Sequence, residues 1–317
     1  MEHNSNCYPK ILYKIYDSLK LIKNFIFDRY PINDSKNELS CNPFFVIGSG
    51  RSGNTLLRSV LCNHSKVGIP PESYILGLMS RKWQTLNFLE WEDLVKVIVG
   101  TLESHPQFFT WETNLFPVYQ RLLKLDKDNR SLAKIIDEIY CYYCDQKFPE
   151  AELWGDKTPI NTLNLGWIDR IFDDVKYIHI IRDGRDAVNS YLKMGRYENV
   201  EEASWRWNKS IQLARNFGRT KSSNEYLEIK YEEFVSSPEN EIEKVCNFLN
   251  LNFEEGMTKH HEKFDELGDV TKLEHHSNLE RPINTDSIGK WEKNLSEKQR
   301  KKVNELLKKN LKILGYK

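Results

Sequence analysis

The sequence lacks net charge: 46 Lys and Arg are offset by 46 Asp and Glu. Proteins that hold DNA, RNA or an anionic membrane by bulk electrostatics draw on a polycationic field, so no nucleic-acid partner is expected, although a local basic cleft stays compatible with the balance. Long hydrophobic runs are missing too. The apolar stretch 11–27 is broken by Lys14, Asp17, Lys20 and Lys23, too many charges for a bilayer span. Its apolar residues Ile11, Ile15, Leu19, Ile22 and Ile26 recur at helical spacing and predict an amphipathic helix packed on the domain. With no apolar run leading to a small-residue cleavage site, a cytoplasmic location is expected.

Cysteines are few and scattered: Cys7, Cys41, Cys62, Cys141, Cys144 and Cys246. Reduced thiols are expected, not a disulfide framework. Cys141-x-x-Cys144 has no second such pair and falls within a helical pattern, 135–144, where a spacing of three means one buried face. His260-His261 and His275-His276 have no third ligand at metal spacing; they are read as surface loops, and no metal is expected. His64, just past a helix end, is read as a capping histidine before a catalytic base. Internal repeats and low-complexity segments are absent.

What is present supports a folded domain. Hydrophobic residues make up 39% and aromatics 12%, enough for a sizeable core, while 29% charged residues suit a water-facing surface. The polar run 33–42 sets off an N-terminal helix and linker (1–42) from a single domain, 43–317. Strands are predicted at 44–48, 66–69, 152–155, 175–181 and 225–230, alternating with helices. A long helical stretch occupies about 73–146. This alternation predicts an α/β fold with a mostly parallel sheet covered on both faces. Ligands of such sheets bind beyond the carboxyl ends of the strands.

Three segments carry chemistry, each just after a strand. The first runs Phe44-Phe45-Val46-Ile47-Gly48-Ser49-Gly50-Arg51-Ser52-Gly53-Asn54-Thr55. Glycines allow a tight turn, and the N–H groups of the following helix can hold an anion. Gly48-x-Gly50-x-x-Gly53 matches the dinucleotide fingerprint, with Glu72 near the place of a ribose-binding acid, so a Rossmann-type nicotinamide-dependent oxidoreductase is one reading. A P-loop nucleotide kinase is another, since the Walker A spacing is present, but Asn54 stands where its lysine belongs. That departure suits a ligand without β/γ-phosphates, such as 3'-phosphoadenosine 5'-phosphosulfate (PAPS), with Arg51 meeting the charge.

The second segment, Arg182-Asp183-Gly184-Arg185-Asp186-Ala187-Val188-Asn189-Ser190, follows the most apolar strand. Arg182 and Ser190, two helical turns apart, can converge on one phosphate; a salt-bridged helix start is the plainer alternative. The third, Trp154-Gly155-Asp156-Lys157-Thr158-Pro159, points Lys157 toward the same cleft unless it is an ordinary surface lysine.

Together these segments resemble the PAPS-dependent sulfotransferase family, closest to the branch of tyrosylprotein and bacterial sulfotransferases. The first resembles its 5'-phosphosulfate loop and the second its 3'-phosphate motif. Gly68-Ile69-Pro70-Pro71-Glu72, Tyr231-Glu232-Glu233-Phe234 and Ile288-Gly289-Lys290-Trp291 resemble further segments of the family. The resemblance implies a P-loop-like three-layer fold with a helical acceptor-side insertion at about 74–150. It implies sulfonate transfer from PAPS by in-line displacement, leaving 3'-phosphoadenosine 5'-phosphate (PAP) and requiring no metal. The acceptor, a hydroxyl or amine of a small molecule or peptide, is left open. Glu72 is the expected base, with Lys157 and Arg51 stabilising the charge that develops at the sulfonate. Ser52, Gly53, Asn54 and Thr55 would hold the 5'-phosphate, and Arg182 and Ser190 the 3'-phosphate. Tyr231 and Lys290 are further nucleotide candidates. Met194 departs from the family's basic residue, for which Lys193 or Arg196 could substitute.

Overall fold

Strand β1 (Asn42–Ile47) is the middle of a five-stranded sheet of order β2-β3-β1-β4-β5. The other strands are β2 (Val67–Gly68), β3 (Leu153–Lys157), β4 (Lys176–Ile181) and β5 (Tyr226–Lys230), and every pairing is parallel. This computed structural model describes residues 30–33, 39–262 and 280–317. The predicted helix at 11–27, Cys7 and His275-His276 lie outside the described residues.

The sheet is covered on both faces, and β1 shows why. Phe45 and Ile47 pack into one core with Trp154 and Tyr177, whereas Phe44 and Val46 enter another with Ile178 and Ile180. Successive residues of a strand point to opposite faces, so a strand buried on both sides reads as an unbroken apolar run. The predicted α/β, P-loop-like three-layer architecture is the one observed.

Helix α1 (Asn54–Leu61) follows β1. The stretch predicted as one helical region divides into α2 (Leu76–Leu86), α3 (Trp91–Glu103), α4 (Phe116–Leu123) and α5 (Leu132–Lys147). A single turn, α6 (Leu165–Ile168), precedes β4; α7 (Gly184–Lys193) and α8 (Val200–Gly218) lead to β5. Helices α9 (Tyr231–Ser236), α10 (Pro238–Leu249), α11 (Lys290–Asn294) and α12 (Glu297–Leu314) close the chain. Ser296 caps α12 in a reciprocal box with Gln299, satisfying two otherwise orphaned donors.

Two placements differ from expectation. The pair His260-His261 is not simply surface loop: His260 is fully buried, and burial pushes its imidazole down to about 4, so it is neutral at pH 7. β3 runs on through Lys157 where it was expected to end at Gly155. Cys141 and Cys144 are both buried on α5 as expected, but the nearest sulfur to Cys141 is that of Cys41, at 3.2 Å.

His64 belongs to the scaffold. Its Nδ1 accepts from the Lys66 N–H, and Nε2 lies 3.0 Å from the Asn252 carbonyl. It lines a cavity of about 430 Å³ with Asn42, Pro43 and Lys176, at the amino ends of the strands. The glycine-rich loop lies at the other end of the sheet. Among the described residues no helix is long and apolar enough to cross a membrane.

Candidate active site

The loop between β1 and α1 turns on glycines. At Gly48, with φ 146°, a Cβ would stand 2.5 Å from the Ile180 carbonyl oxygen. Gly53, with φ 93°, is the N-cap of α1 and packs against the ring of Tyr231. Only glycine meets both the space and the backbone conformation. No side chain caps α1, and the first N–H groups of a helix have no partner within the helix itself. The buried Ser52 Oγ and Asn54 Oδ1 also have no hydrogen-bond partner, while Asn54 Nδ2 donates to the Ser49 carbonyl at 2.7 Å. Buried polar groups are ordinarily paired. Uncapped N–H groups beside an unpaired buried hydroxyl form a cradle for an anion.

Lys157 and Glu72 meet next to this cradle. Lys157 is only 2% exposed; its Nζ lies 2.5 Å from Glu72 Oε1 and 3.4 Å from Thr55 Oγ1. A buried ammonium is tolerated where it is paired, and a carboxylate supplies that pairing. The segment carrying Glu72 is held from both sides. The buried Arg58 donates Nε to the Ile69 carbonyl at 3.0 Å. Ser73 donates its N–H to Thr158 Oγ1 at 3.0 Å and its hydroxyl to Asp156 Oδ2 at 2.8 Å.

Asp156, which sequence reasoning passed over, thus ties β3 to the segment carrying Glu72. It also accepts from the Tyr140 hydroxyl at 2.5 Å and from Asn161 Nδ2 at 2.7 Å. Burial pushes its carboxyl up, against hydrogen bonds from Tyr140, Ser73 and Thr158 that favour the ionised form. The available signal was an acid directly before Lys157, in a segment already singled out. Asp156→Asn puts an amide donor among these donors and should loosen the Glu72 segment. We expect amide hydrogens of the segment around Glu72 and Ser73 to exchange faster, read by hydrogen-exchange mass spectrometry, while the rest of the sheet is unchanged.

A second polar cluster forms where β4 ends. Arg182 donates Nη1 to the Arg51 carbonyl at 3.0 Å and Nη2 to the Ser287 carbonyl at 2.5 Å. Its guanidinium lies 4.6 Å from the ring of Tyr231, and its Nε has no partner. Arg51, at φ 65°, sends Nε to Ser190 Oγ at 2.9 Å. Burial, and next the like charge of Arg182, push the Arg51 guanidinium down from its usual value. Two guanidiniums this close favour an anion between them.

Asp183 caps α7 by accepting from the Arg185 N–H and also pairs with the Arg185 guanidinium. Asp186 accepts from the N–H groups of Gly289 and Trp291 at 2.7 and 3.0 Å. That anchors the 287–291 turn beside Arg182 and brings the exposed Lys290 to this side of the cleft.

The expected residues therefore gather at the carboxyl ends of β1, β3 and β4, in two groups. Glu72, Lys157 and Thr55 form one; Arg182, Ser190 and Arg51 form the other. Arg51 was expected on the sulfonate side, but its side chain engages Ser190. Tyr231 is buried as a platform behind Gly53 and Arg182. Lys193 and Arg196 are both exposed near the end of α7. Among the described residues no group of three His, Cys, Asp or Glu side chains could hold a metal ion.

The strand order argues against the dinucleotide-binding reading of the glycine loop. In a dinucleotide-binding sheet β2 lies next to β1. Here β3 separates them, and Glu72 is engaged by Lys157. Lys157, on β3, brings an ammonium to within 3.4 Å of Thr55 Oγ1 at the start of α1.

Residues 43–255 match the family model described as "Sulfotransferase family". A putative protein-tyrosine sulfotransferase of Caenorhabditis briggsae is 25% identical over 86% of this chain and 88% of its own length. Protein-tyrosine sulfotransferase A of Caenorhabditis elegans is 23% identical over 82% of this chain; the match spans 63% of that relative. The fold is shared with the sulfotransferase domain of the curacin biosynthetic pathway, at TM-score 0.59 and 22% identity, covering 89% of this chain and 99% of that domain. It is also shared with the sulfotransferase domain of the Synechococcus PCC 7002 olefin synthase, at TM-score 0.55 and 24% identity over 86% and 96%.

Proposed function

The chain belongs to the sulfotransferase family, and from that premise we propose that it moves a sulfonate group from PAPS to an acceptor hydroxyl, with Glu72 as the base. The observation that carries this reading is the meeting of Glu72, Lys157 and Thr55 beside an uncapped helix start with unpaired buried oxygens. PAPS, as donor, supplies the activated sulfonate and a leaving phosphate.

Each role follows from the atoms in place. The N–H groups of α1, with Ser52, Gly53, Asn54 and Thr55, bind the 5'-phosphate end. Arg182, Arg51 and Ser190 bind the 3'-phosphate, and Tyr231 keeps the Arg182 guanidinium flat beside it. Lys290 reaches the nucleotide from the anchored turn. Glu72 uses Oε1 for Lys157 and keeps Oε2 for the acceptor proton. Lys157 then sits where it can meet negative charge growing as the sulfur–oxygen bond breaks.

Calorimetry tests the donor assignment: PAP should bind much more tightly than AMP, NAD or ATP, and added Mg²⁺ should change little. Equal affinity for PAP and AMP would remove the 3'-phosphate site. Arg182→Ala should weaken PAP binding about 10–100-fold, the worth of charge-assisted hydrogen bonds. Saturated turnover should change less, because the 3'-phosphate does not react. Lost kcat at unchanged PAP affinity would show that the two phosphate ends have been exchanged.

A further inference from the structure

We infer that the acceptor is an uncharged, apolar alcohol or phenol, not an acidic tyrosine peptide; this rests on Glu72 and Lys157 being the reacting centre. The segments that deliver these two residues also carry exposed apolar side chains. Tyr74, two residues beyond Glu72, is 36% exposed, and its φ of 62° is one a bulky residue rarely adopts. Both hydrogen bonds of Ser73 hold the chain in that turn. The Tyr74 ring stacks on His105, with centroids 4.9 Å apart and planes at 12°. Strain held in place beside a reacting group is usual where a ligand is gripped.

Leu78, on the first turn of α2, is 39% exposed, and Ile160, three residues past Lys157, is 40% exposed. One side chain joins their segments. Asn164 donates Nδ2 to the Ile160 carbonyl at 3.2 Å and accepts from Arg81 at 3.0 Å, one turn beyond Leu78. Gly77 packs so closely on Asn164 that a Cβ there would come within 2.6 Å of it. Phe109, four residues past His105, is 57% exposed.

The charges on these segments are few and engaged. From 72 to 82 and 157 to 164 the Asp, Glu, Lys and Arg residues are Glu72, Arg81, Lys82 and Lys157. Glu72 and Lys157 hold each other. Arg81 is on Asn164 and the Trp167 ring, and Lys82 donates to Thr101. Residues 105–111 contain no Asp, Glu, Lys or Arg. His105 Nδ1 accepts from the Gln107 N–H, and burial pushes its imidazole down, so the ring is neutral at pH 7. Nearby, Arg206 is buried against Ser210 and the Pro159 carbonyl. An acidic peptide needs cations free to meet its carboxylates. An apolar hydroxyl compound needs only the surfaces found here.

The test is labelled transfer from PAPS to 2-naphthol, 1-decanol and a tyrosine peptide flanked by glutamates. We expect kcat/KM for the better of the two alcohols to exceed that for the peptide by about tenfold or more. Leu78→Lys and Ile160→Lys, both at exposed positions, should each raise KM for that alcohol about tenfold, with PAP affinity unchanged by calorimetry. Equal or better use of the peptide, unchanged KM in both variants, or no transfer to either alcohol by enzyme that binds PAP would overturn the inference. The donor reading fails separately, if PAP and AMP bind alike.

Discussion

Glu72→Gln should lower kcat about 10²–10⁴-fold, the usual worth of a positioned base, while PAP binds nearly as well as before. The substitution keeps an oxygen for Lys157 to bind, so the ion pair becomes a hydrogen bond and the loop keeps its shape. What disappears is a carboxylate able to take the acceptor proton. Single-turnover transfer measured beside PAP calorimetry separates the two effects. Turnover close to that of the unaltered protein would move the base to another residue, within the helical region 74–150 or at His64. His64 is a poor substitute, because it sits at the amino ends of the strands with both ring nitrogens engaged.

Lys157→Ala is the second large effect. Its charge is needed most where the sulfur–oxygen bond breaks, as with a donor in an oxyanion hole. Losing one such donor costs roughly 2.7–4 kcal/mol, or about 10²–10³ in kcat. The same change leaves Glu72 without its cation, so part of the loss will come from the base. A cycle of Glu72→Gln, Lys157→Ala and the double variant measures that coupling: residues acting as a unit give a double variant far less impaired than the product of the singles. PAP affinity should change less than kcat in every case. A fall confined to PAP affinity would place Lys157 on a non-reacting phosphate.

Much of this site was legible in the sequence because of where its residues stand along the chain. Glu72, Lys157 and Arg182 each lie at or just beyond a strand, and a parallel sheet carries all such ends to one edge. The apolar run 175–181 identified the buried strand β4 for the same reason that Phe44 and Phe45 serve two cores. What could not be read was side-chain direction set by tertiary neighbours. Arg51 turns toward Ser190, 139 residues away in sequence, while Arg182 holds its backbone carbonyl. Asp156 becomes a hub only once Ser73, Tyr140 and Asn161 surround it. His260 looked like loop because two adjacent histidines have no periodicity, and its burial comes from packing. The helices between 76 and 147 had visible apolar spacing, but their ends are set by turns with few glycines or prolines to mark them.

The sheet order also bears on how the protein comes to be active during synthesis. β1 is made well before both its neighbours: Phe44 faces Gly155 on one side and Lys176 on the other. Thr55 waits 102 residues for Lys157, and Arg182 a further 105 for Ser287. Contacts this distant in sequence fold slowly, because the chain loses loop entropy before it gains them. The nascent glycine loop therefore has no lysine beside it until 102 residues beyond Thr55 have been made. Recovery of transfer activity after dilution from denaturant should then be among the last signals to return, trailing the recovery of helical circular dichroism.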